Sequence, residues 1–219
     1  VTDLGYYLGG CPTVGKPGVL VIPVEFSDVT ASSKRYSIDK IANAFEKDGK
    51  NDYYSVYDYY YISSYGHLEL DVTVLDSWFR PSKPSTYYKS QTIDYYGSDT
   101  EIGDQMIIDE ALKYLEPKMD LSKFDSDNNG TIDSIVLITT LDIDPDETFY
   151  WAYRFWNIYT DSNDEYYEYD GVSANDYLWA SYQFLHETED AGGEVSYTDT
   201  DAMNTYTFIH EFGHVLGLP

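Results

Sequence analysis

The stretch Asn204-Thr205-Tyr206-Thr207-Phe208-Ile209-His210-Glu211-Phe212-Gly213-His214-Val215-Leu216-Gly217-Leu218-Pro219 decides how this chain is read. Its apolar residues, with Met203 just before it, recur at helical spacing and offer faces for burial. Asp201 stands where it can cap the start, and Gly217 followed by Pro219 is a helix stop. On such a helix His210 and His214, four apart, lie one above the other on one face. Both imidazoles then reach one divalent ion, and Glu211 points at water beside it. This H-E-x-x-H pattern supplies two zinc ligands, His210 and His214, and a general base, Glu211. Zinc lowers the pKa of bound water to about 7, and the carboxylate accepts the proton as the water attacks a carbonyl. A bare H-E-x-x-H also arises in helices with two incidental histidines. The glycine three residues after His214 makes the longer pattern more specific.

Read at that length, H-E-F-G-H-V-L-G-L-P resembles the active-site helix of the immune inhibitor A family, secreted bacterial metallopeptidases of the metzincin clan. Ser63-Ser64-Tyr65-Gly66-His67-Leu68 resembles that family's S-S-Y-G-x-L lead into a sheet strand, and Val19 to Asp28 resembles its first strand. The resemblance implies an α/β (α+β) fold, the N-terminal half of a metzincin. A twisted mixed sheet would pack on helices, with the zinc-binding helix at the C-terminus forming the cleft floor. It implies one catalytic domain over residues 1–219, ending just after the active-site helix. The third zinc ligand is then expected immediately beyond Pro219. It also implies a zinc endopeptidase acting on extracellular protein or peptide substrates, secreted or at the cell surface of a bacterium. Substrate would add as a strand to a sheet edge, formed by Tyr150–Trp156 or Tyr177–Phe184.

Two other functional classes compete with the enzyme. One is a catalytically incomplete, calcium-stabilised fragment of such a peptidase, because two histidines alone bind zinc weakly. The other is a non-enzymatic aromatic-rich surface or carbohydrate-binding module, suggested by 25 tyrosines that cluster beside acids. Half-buried tyrosine packing is the plainer explanation of those clusters.

The 39 acidic and 13 basic residues leave a net charge of -26, which argues against nucleic acid and anionic membrane surfaces as partners. No apolar run approaches the roughly 20 residues of a membrane span. A hydrophobic content of 42% over 219 residues suits one core-bearing domain. Cys11 is the lone cysteine, so no internal disulfide forms. It reads as a plain unpaired thiol, with capping of the zinc as the sharper alternative.

A second motif is Asp125-Ser126-Asp127-Asn128-Asn129-Gly130-Thr131-Ile132-Asp133. Oxygen ligands at alternate positions with a glycine for the turn can wrap calcium: Asp125, Asp127, Asn129, the Thr131 carbonyl and Asp133. The closing glutamate of an EF-hand is absent, since position 12 is Val136, and Ser134–Thr140 reads as a buried strand. An Asn-Gly turn bearing solvated acids is the alternative.

Elsewhere, Gly18–Phe26 reads as a central strand buried on both faces. Ser37–Lys47 is a helix capped by Ser37, with a polar loop at 48–52 after it, and Ser55–Ile62 is a short helix or turn. His67–Leu75 is a half-exposed strand with His67 outward. Pro81–Tyr96 is expected to be a loop and Asp99–Leu115 a helix. Asp142–Thr148 is an acidic turn, and Asp161–Asp176 is an acidic loop between the two Tyr-rich strands. His186 is expected at the surface, with third-ligand duty as its alternative. Glu187–Thr200 reads as a loop feeding the histidine helix.

Overall fold

The computed structural model of the chain describes residues 10–47, 54–191, 194–198 and 203–219. The elements begin with strand β1 (Gly18–Val24), helices α1 (Ala31–Lys34), α2 (Ile38–Phe45) and α3 (Val56–Ser63), and strand β2 (Asp71–Val74). Helix α4 (Ser85–Lys89), hairpin β3 (Thr92–Tyr95) and β4 (Ser98–Glu101), helix α5 (Gly103–Leu115) and strand β5 (Ser134–Thr139) follow. The remainder is β6 (Tyr153–Trp156), β7 (Glu168–Tyr169), β8 (Val172–Ser173), β9 (Asp176–Ser181), β10 (Glu187–Ala191), β11 (Glu194–Thr198) and helix α6 (Tyr206–Val215).

Five of the strands form one mixed sheet in the order β2-β1-β5-β9-β6. β2, β1, β5 and β9 run parallel, and β6 lies antiparallel to β9 at the edge. Leu20 pairs with Ile135 and Ile135 with Tyr177 across the middle. Every residue of β1, β5 and β9 is buried, because helices cover both faces of the sheet. On one face Leu20, Ile22, Leu137, Tyr177 and Trp179 pack against Ile107, Ala111 and Leu112 of α5. On the other, Val19, Val21, Val136, Ile138 and Leu178 meet Ile41 and Phe45 of α2, Val56 and Tyr60 of α3, and Phe208 and Phe212 of α6. The chain is therefore a mixed α/β fold, as its order of apolar runs implies.

Several boundaries differ from the expectation. The helix expected from Asp99 starts at Gly103, because Ser98–Glu101 pairs with Thr92–Tyr95 across a Tyr96-Gly97 turn. Both turn residues have positive φ, 53° and 84°, the geometry that matches the twist of a two-residue hairpin. Part of the expected Pro81–Tyr96 loop is thus α4 and β3. The regular pairing of His67–Leu75 shrinks to Asp71–Val74, with Leu68 and Leu70 buried ahead of it. Ser37 occupies the cap position of α2 without a side-chain capping bond; its N–H donates to the Tyr182 hydroxyl oxygen at 3.1 Å. The two Tyr-rich strands shorten to β6 and β9: the expected start Tyr150 closes a 3-10 turn over Thr148–Tyr150, and the expected end is taken by a second over Tyr182–Leu185. The expected Glu187–Thr200 loop carries the antiparallel pair β10–β11. His186 is buried, not at the surface: its ring lies edge-on to Tyr36 and Tyr182 at 5.8 and 5.5 Å. The polar loop at 48–52 lies outside the described residues, as do the first nine residues.

One buried carboxylate ties α5 to the sheet edge. Asp104 accepts hydrogen bonds from the Tyr153 hydroxyl at 2.8 Å, from the Tyr177 hydroxyl, and from the Gln105 N–H at 2.8 Å. Burial raises its pKa above the ordinary aspartate value, and these donors pull the other way. Replacing Asp104 by alanine leaves two buried hydroxyls without their acceptor. We expect Asp104→Ala to lower stability by about 2–5 kcal/mol, and Asp104→Asn, which keeps an acceptor, by less than half of that. Urea denaturation measures both, and an alanine variant as stable as the parent contradicts the anchoring role.

Candidate functional site

Helix α6 starts at Tyr206 with Thr205 at the cap position. Thr205 makes no capping bond; its hydroxyl donates instead to the Tyr54 carbonyl at 2.7 Å. Asn204 closes the turn, its Oδ1 accepting from the Tyr206 N–H at 2.9 Å. Asp201, the expected cap, lies outside the described residues. The helix ends as Gly217 and Pro219 imply. The Gly217 N–H donates to His214 O at 3.0 Å, and the Leu218 N–H donates to Gly213 O at 2.9 Å. This is a Schellman motif, and Gly217 takes its left-handed position with φ 83°.

Packing sets the rotation of α6. Phe208, Phe212 and Val215 are fully buried, with Phe208 edge-on to Phe45 at 5.4 Å and Phe212 tilted against Tyr60 at 5.5 Å. The Tyr60 hydroxyl donates to the Ile209 carbonyl at 2.6 Å, and burial pushes its pKa well up. A Cβ on Gly213 would meet that hydroxyl at 3.1 Å, so the small residue between Phe212 and His214 lets α3 approach. With this face buried, His210 is left exposed and His214 and Glu211 half-buried.

The two imidazoles converge. His210 Nε2 and His214 Nε2 are 3.2 Å apart, with the rings at 88° to one another. Two nitrogens bound to one tetrahedral zinc at about 2.0–2.1 Å are separated by about 3.3–3.4 Å. The pair is thus spaced as one edge of such a site. His214 Nδ1 lies 3.0 Å from the Leu218 carbonyl. A proton on Nδ1 donated there leaves Nε2 bare and aimed at the shared point. The helix stop that presents Leu218 therefore also sets the histidine's tautomer.

Glu211 projects toward the sheet edge, where the backbone N–H of Arg154 on β6 favours its charged form. Burial raises its pKa above the usual glutamate value, while His214 and His210 pull it down. The Arg154 side chain is held by an ion pair to Asp176, whose side chain is fully buried. Of the two strands considered for substrate binding, β9 is interior and β6 is the edge. A pocket of about 340 Å3 opens on the histidine side of α6, lined by Tyr59, Tyr60, Tyr206, Ile209, Gly213 and Leu218 as well as both histidines. Tyr206 stacks on His210 at 6.3 Å. Its place one helical turn before His210 was a usable sequence signal; the parts played by Tyr60 and Arg154 come from distant elements and left none.

Among the described residues no third His, Cys, Asp or Glu joins the histidine pair within ligand distance. His186 is therefore not a third ligand, and its ring is enclosed by Tyr36 and Tyr182. Cys11 does not cap the pair either. It is buried, and its pKa is raised by burial first and then by the charges of Asp133, Asp176 and Asp127.

The acidic loop gathers ligand atoms elsewhere. Asp125, Asp127 and Asp133 bring carboxylate oxygens within 4.8 Å of one another. Asp125 accepts from the N–H groups of Asn129 and Gly130, both at 2.9 Å, and Asn129 Oδ1 accepts from the Thr131 N–H and hydroxyl. Asp133 Oδ2 accepts from the N–H of Gly18 at 2.7 Å and of Ser126 at 3.1 Å. Its other oxygen, Oδ1, is buried and has no hydrogen-bond partner. Like charges at this spacing repel by about 1–3 kcal/mol per pair. The cluster is chemically suited to a hard cation with oxygen ligands.

No family model matches the chain, and a search among curated proteins finds no match.

Calcium at a hundredfold excess over its dissociation constant should stabilise the fold by about 2.7 kcal/mol, roughly 5–11 °C in melting temperature. Chelator removes the gain, and Asp133→Asn lacks it. An unchanged melting temperature with chelator contradicts the site. The sign of the pH effect follows from Asp133, whose pKa is raised by burial first, with the Asp127 charge adding to it. Without calcium the folded state holds its proton more tightly than the unfolded chain. Its contribution to stability is present below about pH 3.9 and is lost as pH rises through the raised pKa. Thermal scans between pH 3 and 7 should show that loss, diminished in Asp133→Asn.

Proposed function

We propose that the chain is the metal-binding part of a metzincin-like zinc endopeptidase, with His210 and His214 as zinc ligands and Glu211 as the general base. The carrying observation is the 3.2 Å approach of the two Nε2 atoms, with the Glu211 carboxylate beside them facing the sheet's edge strand. Zinc, when bound, supplies Lewis acidity to the scissile carbonyl and to water.

The chain's own residues do the rest. His214, oriented through Leu218 O, and His210, backed by Tyr206, hold the ion. Glu211 accepts the proton of the attacking water and returns it to the leaving amine. Burial keeps its pKa above an ordinary glutamate, nearer the range useful for that exchange. β6 offers unpaired backbone groups on the side away from β9, so an extended substrate can pair with it next to α6. Protein or peptide substrates follow from that edge. Calcium in the Asp125–Asp133 loop would fix the start of β1 through Gly18 and so the sheet that carries the site. No helix among the described residues is long and apolar enough to cross a membrane.

A second reading, a calcium-stabilised unit without catalysis, is favoured by the absence of a third ligand among the described residues. Metal analysis separates the two: about one zinc per chain supports the peptidase, and none supports the second reading. For the peptidase, Glu211→Ala should keep zinc and lose at least a hundredfold in casein hydrolysis. Undiminished hydrolysis by that variant contradicts the role of Glu211.

A further inference from the structure

The edge strand β6 has a second recess on the face away from α6. It measures about 430 Å3 and is walled by Phe149, Tyr153 and Phe155. Tyr153 and Phe155 point to this side, where they pack against Trp179 and Tyr177. The rest of the lining is polar: Asp99, Thr100 and Glu101 from the β3–β4 hairpin, the two acids exposed, Thr148, Asp104 at the buried base, and Arg154 of β6 itself. The Arg154 charge is offset by its ion pair with the fully buried Asp176, and Lys89, which also feels Glu101, is paired with Glu147. The recess thus joins an aromatic wall to a surplus of negative charge.

Its position gives it a ligand. Side chains of an extended strand point alternately to opposite faces. A strand laid along the free edge of β6 sends one set toward α6 and the histidine pair, and the other set toward this recess. We propose that the recess takes the cationic side chain of a lysine or arginine in a polypeptide bound along β6. The methylene stem lies on Phe149 and Phe155 while the charged end meets Asp99 and Glu101. The proposal rests on β6 being the substrate edge, and it adds a preference for basic residues near the bond attacked.

Binding tests it separately from hydrolysis. A single lysine is walked along an alanine-based decapeptide, with norleucine at each position as the control. Affinity for the Glu211→Ala variant is measured by calorimetry in low salt. One position should favour lysine at least tenfold, falling below threefold in the Asp99→Asn/Glu101→Gln double variant, with norleucine binding unchanged. No lysine preference at any position, or one indifferent to the double substitution, overturns the proposal. Hydrolysis by the unsubstituted protein without lysine preference discards the recess and keeps the peptidase. Lysine preference with no hydrolysis does the reverse.

Discussion

One approach joins the chemistry to the scaffold: Glu211, on the histidine helix, lies beside the backbone N–H of Arg154, on the edge strand, which favours its charged form. It links the helix that would hold the metal to the strand that would hold a substrate. Everything else in the fold serves that registration. Phe208 and Phe212 lock the helix rotation against α2 and α3, and Tyr60 fixes its height through the Ile209 carbonyl. The Asp176 ion pair and the Asp104–Tyr153 bond hold β6 from its two faces. Because the edge strand is the least supported part of any sheet, these two buried anchors matter more there than in the interior.

Where the central strands begin, the acidic loop does similar work. Asp133 bonds the first residue of β1 and the loop's own Ser126 with one oxygen, and its other oxygen is buried without a hydrogen-bond partner. A chain of net charge -26 carries considerable self-repulsion, and a divalent ion in this loop would relieve it where the sheet begins. The histidine site and the loop differ in chemistry. Paired imidazoles suit zinc, and clustered carboxylates suit calcium.

What could be read from sequence followed from how local each signal was. The spacing of His210 and His214 on one helical face needs only four residues, and Gly217 announces its own turn. The continuous apolar runs of β1 and β5 mark a sheet covered on both sides. The β3–β4 and β10–β11 pairings carry no such signal, because their residues are largely polar and acidic and no apolar alternation marks them. The burial of His186 depends on Tyr36, far away in the chain, and the approach of Glu211 to Arg154 depends on two elements meeting in space. Such contacts belong to tertiary structure, and no periodicity encodes them.

X-ray absorption at the zinc edge of the zinc-loaded protein tests the central claim most directly. Two imidazole nitrogens at about 2.0–2.1 Å, lost in His214→Ala, are the expected result. A shell of carboxylate oxygens alone, unchanged by that substitution, would put the metal in the acidic loop and contradict the histidine site.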